Sequence, residues 1–458
     1  MDFVRGILLL LLAALPARPE WILVRTSEAD LFTNAGEKSA TRVLDRMAAV
    51  RQVLGQGPAA GRPLRIFVFA AEREFRSYAG GPLTEGSFHS GTERDYILLP
   101  AGLGLTRIAT HEYVHRVLNH SAPRFPLWLD EGLADLYSTL EVKGQTALVG
   151  LAIEAHVAKL ANRSWLTAKE LEHAGENTAL LNERDRAGIF YAQSWALVHM
   201  LKLGGKWREQ TPKFLDTLLA GRDPSQAFRE VYGRTLDQAI EDLHSYLPRL
   251  RAEQVPTGPR LTQDVPSVMK LGEVESTLEL ADLALHEDKL DLARKLFEET
   301  DRKHPDSPEA EAGLGALAMA EGRRPEALAH LQKATKLRAP GGEIYFQLAM
   351  LRRDDGAPEE EVDQLLQRAI AADPSYADAH LLLGQRETDR GEYARAIEHL
   401  KAAVAILPRS SNAWYALAYA QSKTGEKEEA RDSARRSLQT ARMREDEGMA
   451  RALLESLE

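Results

Sequence analysis

The sequence contains no cysteine among its 458 residues. This absence excludes disulfide bonds, thiolate metal sites and cysteine nucleophiles. A metal site in this chain must therefore use histidine, aspartate or glutamate. A surplus of basic residues is also absent, because the formal net charge is -10. Since general nucleic-acid binding needs a basic surface, we expect no nucleic-acid partner.

Long apolar runs are lacking outside the N-terminus. A single basic residue, Arg5, precedes the apolar run 7–15, and the small residue Ala17 follows it. This is the layout of a secretory signal peptide. The run is shorter than the roughly 20 residues of a membrane-spanning helix, and no later stretch is long enough either. We therefore expect residues 1–17 to be a signal peptide and the protein to be secreted or periplasmic, with an uncleaved anchor or a buried N-terminal segment as the alternatives.

The N-terminal half of the chain has the pattern of a mixed α and β domain. Dense β-branched and aromatic residues in LRIFVFA, at residues 64–70, predict a buried strand, and strands are also expected at residues 20–27 and 96–100. Apolar side chains at helical spacing predict an amphipathic helix over residues 36–55. Further helices are predicted at residues 105–119, 127–140, 147–161, 189–203 and 211–220. We expect an α+β domain over residues 18–250.

A break in the pattern follows this domain. Residues 251–268 carry three prolines and one glycine and show no apolar periodicity. Such composition is typical of a linker between domains. We assign the linker to residues 251–272.

Beyond the linker, the sequence repeats itself at a period of about 34 residues. A small residue recurs in the first helix of each unit, at Ala281, Gly315, Ala349, Gly384 and Ala418. Because small residues let paired helices approach closely, this spacing predicts stacked helical hairpins. The pattern resembles tetratricopeptide (TPR) repeats. Five repeats are expected, at residues 274–307, 308–341, 343–376, 377–410 and 411–444.

The TPR resemblance implies an all-α solenoid over residues 273–458, with the tail from 445 to 458 as a capping helix. Such arrays usually present a concave surface that binds peptide or protein segments, so we expect a protein partner there. By the same resemblance, the inner face would carry Gln347, Gln385, Tyr415 and Tyr419. Ordinary solvated or packing roles are the alternative for these four side chains.

The segment HEYVH, at residues 111–115, places two histidines and a glutamate on a predicted helix. Residues four apart lie on the same helix face, so His111 and His115 can offer two imidazole nitrogens to one ion. Glu112 lies about 100° round the helix, where it can reach a water held by that ion. Zinc in a catalytic site also needs a third protein ligand and one open position.

The segment FPLWLDEGLADLYS, at residues 125–138, offers the third ligand. Glu131 and Asp135 are four apart and share a helix face. Glu131 would complete the ligand set, and Asp135 would accept the ring N–H of a liganding histidine. Asp130 is a rival ligand, although it points about 100° away from the Asp135 face. The alternative for Glu131 is an acid favoured by the helix dipole, and for Asp135 a solvated acid.

HExxH followed by P-x-W-L-x-E-G-x-A-D resembles the gluzincin zinc metallopeptidases, in particular the peptidase-MA-like group that is often found in exported bacterial proteins. Carried over position by position, the resemblance implies a Zn²⁺ ion with these ligands: His111, His115 and Glu131. Glu112 becomes the general base, and Asp135 becomes the residue that orients the first histidine. The resemblance implies a zincin-like fold for residues 18–250, and its specific part covers residues 105–138.

A peptidase also needs a group that stabilises the oxyanion. The segment GIFYAQSWALVHM, at residues 188–200, is similar to a Y-A-Q-S segment of the same family. The similarity makes Tyr191 the candidate, with packing in a core helix as an equal alternative. His199, about two turns along the same face, is a weaker candidate. Residues 86–99 are placed to bind a substrate backbone as an edge strand, and His89 and Tyr96 lie there without an assigned role.

Together these features predict an exported zinc-dependent metallopeptidase. A zinc-bound water activated by Glu112 would hydrolyse peptide bonds, and the TPR array would recruit substrate or partner proteins. The alternative is a non-catalytic TPR scaffold for protein–protein interaction that carries a metal-bound or inactive zincin-like domain. Zinc-dependent hydrolysis of something other than peptides is a third interpretation. The presence of both histidines, both glutamates and Asp135 favours the enzyme, because a decayed enzyme tends to lose its base or a ligand first.

Overall fold

The computed structural model describes residues 20–54, 63–81, 84–91, 94–121, 125–161, 165–175, 178–258, 265–441 and 443–457. The signal peptide that we assign to residues 1–17 lies outside these ranges. Within them, every helix is too short or too polar to cross a membrane.

In the described part of the chain, nine strands form two sheets. The strands are β1 (Ile22–Arg25), β2 (Ala29–Thr33), β3 (Leu64–Phe69), β4 (Ser87–Ser90), β5 (Asp95–Pro100), β6 (Glu141–Lys143), β7 (Thr146–Val149), β8 (Glu253–Pro256) and β9 (Ser267–Lys270). The larger sheet has the order β4-β5-β3-β2-β1-β9, and β6, β7 and β8 form the smaller one. β3 pairs in parallel with β2 and β5, and the other pairs of the larger sheet are antiparallel.

The α-helices divide between the N-terminal domain and the C-terminal array. Those of the domain are α1 (Glu37–Leu54), α2 (Glu72–Tyr78), α3 (Leu105–Ser121), α4 (Leu127–Ser138), α5 (Glu154–Ala161), α6 (Ala168–Glu172), α7 (Thr178–Asn182), α8 (Arg184–Leu203), α9 (Gly205–Arg208), α10 (Thr211–Leu219), α11 (Pro224–Tyr232) and α12 (Leu236–Tyr246). Those of the array are α13 (Glu273–His286), α14 (Leu290–Lys303), α15 (Pro308–Ala320), α16 (Arg324–Lys336), α17 (Gly342–Asp354), α18 (Glu359–Ala372), α19 (Ala377–Asp389), α20 (Tyr393–Ile406), α21 (Ser411–Thr424), α22 (Lys427–Thr440) and α23 (Arg444–Ser456).

The two faces of the larger sheet contribute to two separate cores, because successive side chains of a strand point to opposite faces. On one face, Leu31, Ile66 and Leu99 are fully buried in the core that α1 and α3 complete. On the other face, Phe32 and Phe67 stack with their ring centroids 4.8 Å apart. Both faces are therefore apolar, and each needs a cover.

The helices that carry the candidate site lie on the first of these faces. α3 packs against α1 and β5, and α4 packs against α3 and α8. A side chain at Gly132 of α4 would not fit, because a Cβ there would lie 2.5 Å from the carbonyl oxygen of Ser194 on α8. The glycine thus lets α4 approach α8 closely, and this fixes the position of the neighbouring Glu131.

The helices of the array form five hairpins and a final helix. The first helices of the hairpins begin at Glu273, Pro308, Gly342, Ala377 and Ser411. Each start lies within one residue of the start of a predicted repeat. The recurring small residues lie where paired helices touch: Ala281 and Ala349 are fully buried, and a Cβ at Gly315 would lie 2.8 Å from the side chain of Leu331. Close helix approach therefore explains the 34-residue pattern.

The first repeat of the array packs on the aromatic face of the sheet. Ala281, Ala284 and Phe297 share one core with Phe67 and Phe69. All five side chains are at most 3% exposed. The array thus supplies part of the cover that this face of the sheet needs, and Phe75 and Tyr78 of α2 supply another part.

Polar contacts border this interface. The guanidinium of Arg65 donates to Glu279 at 2.7 Å and to Asp282 at 3.0 Å. The hydroxyl of Tyr96 donates to Asp282 at 3.1 Å, and its ring stacks on His286 with a centroid distance of 3.9 Å. Tyr96, for which the sequence predicts no role, thus faces the array.

The described part of segment 251–272, which the sequence predicts to be a linker, contains two short strands. β8 pairs with β7, and β9 pairs with β1 to form an edge of the larger sheet. Each strand has only four residues and pairs with a segment more than 100 residues away. Pro256 is the last residue of β8 and Pro266 comes just before β9. The prolines therefore mark the ends of short strands here.

The helix predicted over residues 147–161 begins later than expected. The first part of that segment belongs to β7, and α5 starts only at Glu154. A short apolar run such as TALV fits a strand as well as a helix, so its periodicity does not separate the two. Gly150, with a φ of +76°, makes the turn between them in a backbone conformation that favours glycine.

Candidate metal centre

Three side chains from α3 and α4 converge on one point. The Nε2 atoms of His111 and His115 are 3.1 Å apart, and Oε2 of Glu131 lies 3.4 Å from the first and 3.5 Å from the second. With bonds of about 2.0–2.2 Å, a tetrahedral zinc ion holds its ligand atoms about 3.3 Å apart. The three atoms are therefore spaced as ligands of one such ion. Among the described residues, this is the group of histidines and acids that could hold a metal ion.

The second ring nitrogen of each histidine has a carboxylate partner. Nδ1 of His111 lies 3.0 Å from Oδ1 of Asp135, and Nδ1 of His115 lies 3.1 Å from Oδ2 of Asp130. In the neutral form of the ring, an Nδ1–H that donates to a carboxylate leaves the Nε2 lone pair for a metal ion and fixes the ring. Both contacts thus turn Nε2 lone pairs towards the common point. Asp130, the rival ligand from the sequence, contacts a histidine ring instead of joining the three ligand atoms.

A third histidine, which the sequence patterns do not single out, belongs to the same cluster. Nε2 of His156, on α5, lies 2.8 Å from Oδ2 of Asp135. Asp135 therefore bridges His111 and His156, and Arg107 also lies 3.5 Å from its Oδ1. Since Asp135 is only 3% exposed, these partners compensate a buried charge. No local motif marks His156, because the packing of the helices alone brings it to α4.

The charges in the cluster balance one another. Burial raises the pKa of Glu131, but the two histidines outweigh burial and lower it to about 2. Burial lowers the pKa of His111, but Asp135 and Glu131 outweigh it and raise the pKa to about 10. The pKa of His115 is raised in the same way against burial, by Glu131 and Asp130. The carboxylates thus attract positive charge to the ring nitrogens, and a metal ion that binds such a site displaces the protons.

Glu112 lines the same cleft as the three ligand residues and is 7% exposed. Burial raises the pKa of its carboxyl, and His111 and His115 lower it to a smaller extent. Gly86, directly before β4, passes close to this carboxylate. A Cβ at Gly86 would clash with Ile108 and would lie 3.1 Å from Oε1 of Glu112. The edge of the sheet therefore borders the position of the predicted base.

The cleft has a volume of about 1020 Å³, and Tyr191 of α8 lines it. Burial raises the pKa of Tyr191, and the nearby acidic side chains add to the effect. The phenol therefore stays protonated at neutral pH and can donate a hydrogen bond. His199 does not line the cleft. It is fully buried and binds the Gly150 carbonyl at 3.0 Å and the Tyr246 hydroxyl at 2.8 Å, so it is no longer a candidate.

The array borders the cleft as well as the sheet. Arg409, in the turn between α20 and α21, is one of the residues that line the cleft. On the edge strand β4, Nδ1 of His89 lies 2.6 Å from Oε1 of Glu287, just after α13. His89 therefore contacts the array, and the strand next to the candidate site is held by it.

The four side chains that the TPR resemblance places on an inner face are half-buried on the first helices of three repeats. Gln347 donates to Glu343 at 2.6 Å, and Gln385 donates to Asn412 at 3.2 Å. The ammonium of Lys423 lies 4.9 Å from the ring centre of Tyr419. A role in partner binding stays a prediction for these residues and for Tyr415.

Comparison with protein families identifies the repeats. A family model described as tetratricopeptide repeat matches residues 312–377, and a second model with the same description matches residues 387–454. The TPR prediction for the C-terminal part is thereby confirmed. Both matches lie within the array, so they give no support to a zincin-like N-terminal domain.

Several solved structures are similar to part of the chain. MamA is 24% identical, with 36% of this chain and 91% of its own covered, at a TM-score of 0.30. YrrB, a TPR protein with an unusual peptide-binding site, is 17% identical, and the match covers 39% of this chain and 91% of YrrB at a TM-score of 0.32. PilF of Pseudomonas aeruginosa is 16% identical, and the match covers 40% of this chain and 90% of PilF at a TM-score of 0.33. These scores are too low to support a functional comparison, and no curated protein matches the sequence.

Proposed function

We propose that the N-terminal domain is a zinc-dependent peptidase and that the TPR array brings it protein substrates or partners. The observation that carries the proposal is the spacing of 3.1 to 3.5 Å between the ligand atoms of His111, His115 and Glu131. The carboxylate partner on each histidine ring and the cleft beside the ligand atoms support it. Export, which the pattern of residues 1–17 predicts, would place the activity outside the cytoplasm.

The proposed part of each residue follows from its position. A zinc ion at this point would polarise a substrate carbonyl and lower the pKa of a water. Glu112 would accept a proton from the attacking water and deliver it to the leaving nitrogen, and the raised pKa of its buried carboxyl suits both transfers. Tyr191, held protonated, would donate a hydrogen bond to the developing oxyanion. Asp135 would keep His111 in the tautomer that presents Nε2.

A protein-binding scaffold is the second candidate function. TPR arrays usually bind peptide or protein segments, and the array is the part of the chain that the family models match. The comparisons therefore favour this alternative over hydrolysis. In a scaffold, the metal-ligand geometry would serve stability or would be a remnant of an enzyme.

The first prediction tests the metal site and the activity together. We expect purified full-length protein to contain one zinc ion per chain and to cleave peptides in a mixed pool. Glu131→Ala should lose both, because two histidines alone leave the site one protein ligand short. Metal content is measured by mass spectrometry of the acid-digested protein, and cleavage by the appearance of new peptide termini.

Asp130→Asn is the matched control for this test. Its side chain contacts a histidine ring but contributes none of the three ligand atoms, so the variant should keep most of its zinc. Full zinc occupancy in Glu131→Ala would rule out Glu131 as a ligand. Zinc in the wild-type protein without cleavage of any peptide would favour the scaffold.

The second prediction concerns His156. His156→Ala removes one of the groups that hold Asp135, so the hold of Asp135 on His111 should weaken. We expect zinc affinity to fall by about tenfold, the lower end of the effects of outer partners of metal ligands. Competition with a chromogenic chelator measures the affinity. His173→Ala, at an exposed histidine outside the cleft, should leave it unchanged, and equal affinities of the two variants would contradict the role of His156.

A further inference from the structure

The side chain of Lys159, on α5, extends over α8 and lines the cleft. A Cβ on Gly188 of α8 would lie 2.7 Å from Cε of Lys159, so the glycine makes room for the lysine side chain. Gly188 and Tyr191 are three residues apart on the same helix and share a face. Lys159 and Tyr191 both line the cleft. The lysine chain therefore runs along the same wall as the candidate oxyanion donor.

A second cation continues this wall. Arg184 begins α8 and lies four residues before Gly188, so it shares that helix face, and it also lines the cleft. The two residues differ from the other cations of the domain that line the cleft. Arg107 is paired with Glu85 at 2.6 Å, and Arg76 with Glu72 at 2.7 Å.

Lys159 and Arg184 have no such partner among the residues that the structure describes. Within the described parts of the chain, no acidic side chain lies within 4.0 Å of either cation. Four of the five acids that line the cleft contact other groups: Glu131, Asp135 and Asp130 contact histidines, and Glu85 contacts Arg107. The fifth acid, Glu112, forms no ion pair with Lys159 or Arg184. Among the described residues, these two cations of the wall formed by α5 and α8 therefore have no acidic partner, and they face whatever occupies the cleft.

We infer that Lys159 and Arg184 bind a carboxylate of the substrate, and that the cleft selects peptides with a carboxylate close to the scissile bond. This inference rests on the proposed peptidase function, because it treats the bound peptide as a substrate. The binding of the carboxylate itself does not require hydrolysis. Two sources offer the same chemistry: the C-terminal carboxylate of a peptide, and the side chain of aspartate or glutamate. Ammonium and guanidinium groups bind both through charge-assisted hydrogen bonds.

The test measures binding to the full-length Glu112→Gln protein, in which turnover does not interfere. The probes are penta-alanine with a free C-terminus, penta-alanine amide, and the amide Ala-Ala-Ala-Glu-Ala-NH2, each titrated by calorimetry. We expect at least one carboxylate probe to bind about tenfold more tightly than penta-alanine amide, as for one charge-assisted hydrogen bond. A gain for the free acid identifies the C-terminal carboxylate, and a gain for the glutamate amide identifies an acidic side chain.

In the Glu112→Gln protein, a second substitution, Lys159→Met, should remove most of the gain in affinity that the carboxylate probe shows over penta-alanine amide. Lys159→Arg should retain this gain in affinity because the positive charge is kept. Lys213→Met, at an exposed lysine of α10 outside the cleft, is the matched control and should leave the gain intact. Equal binding of all three probes would overturn the inference, as would a gain that survives Lys159→Met combined with Arg184→Gln. Failure of the wild-type protein to cleave peptides would count against the peptidase alone, because the binding difference is measured without cleavage.

Discussion

Glu112→Gln is expected to lower kcat/KM for peptide cleavage by about 10³-fold while the protein keeps its zinc. Glutamine has nearly the same shape as glutamate, so the close approach of the side chain to Gly86 is preserved. The neutral amide cannot accept a proton from the attacking water or return it to the leaving nitrogen. Steady-state cleavage of one peptide from the mixed pool gives the rate, and metal analysis of the same sample gives the zinc content.

The geometry of the site explains why the effect should be confined to the rate. The ligand atoms belong to His111, His115 and Glu131, and the carboxylate of Glu112 is not one of the three atoms that converge. Glu241→Gln, at an exposed glutamate of α12 that does not line the cleft, also removes one negative charge and should keep full activity. Equal activity of Glu112→Gln and the wild type would remove Glu112 as the base.

The candidate site could be predicted from the sequence where it depends on helix periodicity. A spacing of four residues puts His111 beside His115 and Glu131 beside Asp135 on any helix, and the structure brings the two pairs to one point. The pairing of Asp135 with His111 follows from the same register. Whether these residues bind zinc stays a prediction, because the comparisons with known proteins concern the repeats.

Other parts of the site depend on how distant elements pack. His156 reaches Asp135 because α5 and α4 both pack against α8. The sequence predicts a single helix where the structure has β7 and α5. Asp130 points away from Asp135 on α4, as expected, but the position of α3 puts His115 next to it. Such contacts form between different helices, so the residue periodicity within one helix does not predict them.

The relation between the two halves of the chain was also hidden in the sequence. The repeats could be predicted because each contains its own small residues, turn and second helix. The docking of the first repeat could not, since β9 has four residues and pairs with β1 at the other end of the domain. The alternation of residues in β3 indicates that a second cover is needed. Phe67 and Phe69 alternate with Ile66 and Val68, so both faces of the sheet are apolar and both require a cover.

A chain ending at residue 272 is therefore expected to lose its stable fold. Without the array, Phe32, Phe67 and Tyr96 of the sheet lose the helices α13 and α14 that share their core. Each large apolar side chain returned to water costs about 1.5–3 kcal/mol, and a few of them together approach the total stability of a domain, about 5–15 kcal/mol. We expect the shortened protein to aggregate, or to unfold at a temperature at least about 10 °C below that of the full chain, because a loss of stability of this size lowers the melting temperature by about that much. Gel filtration detects the aggregation, and circular dichroism follows the unfolding.

A chain ending at residue 341 is the matched control, because it keeps the first repeat and the second repeat that covers it. It should remain soluble and should unfold near the temperature of the full-length protein's N-terminal domain. If the chain ending at 272 is as stable as this control, the first repeat does not serve as the cover of the sheet. If only the shorter chain fails, the first repeat is part of the N-terminal domain's core. A partner bound to the later repeats would then act on an array that lines the cleft with Arg409 and contacts His89 of β4 through Glu287.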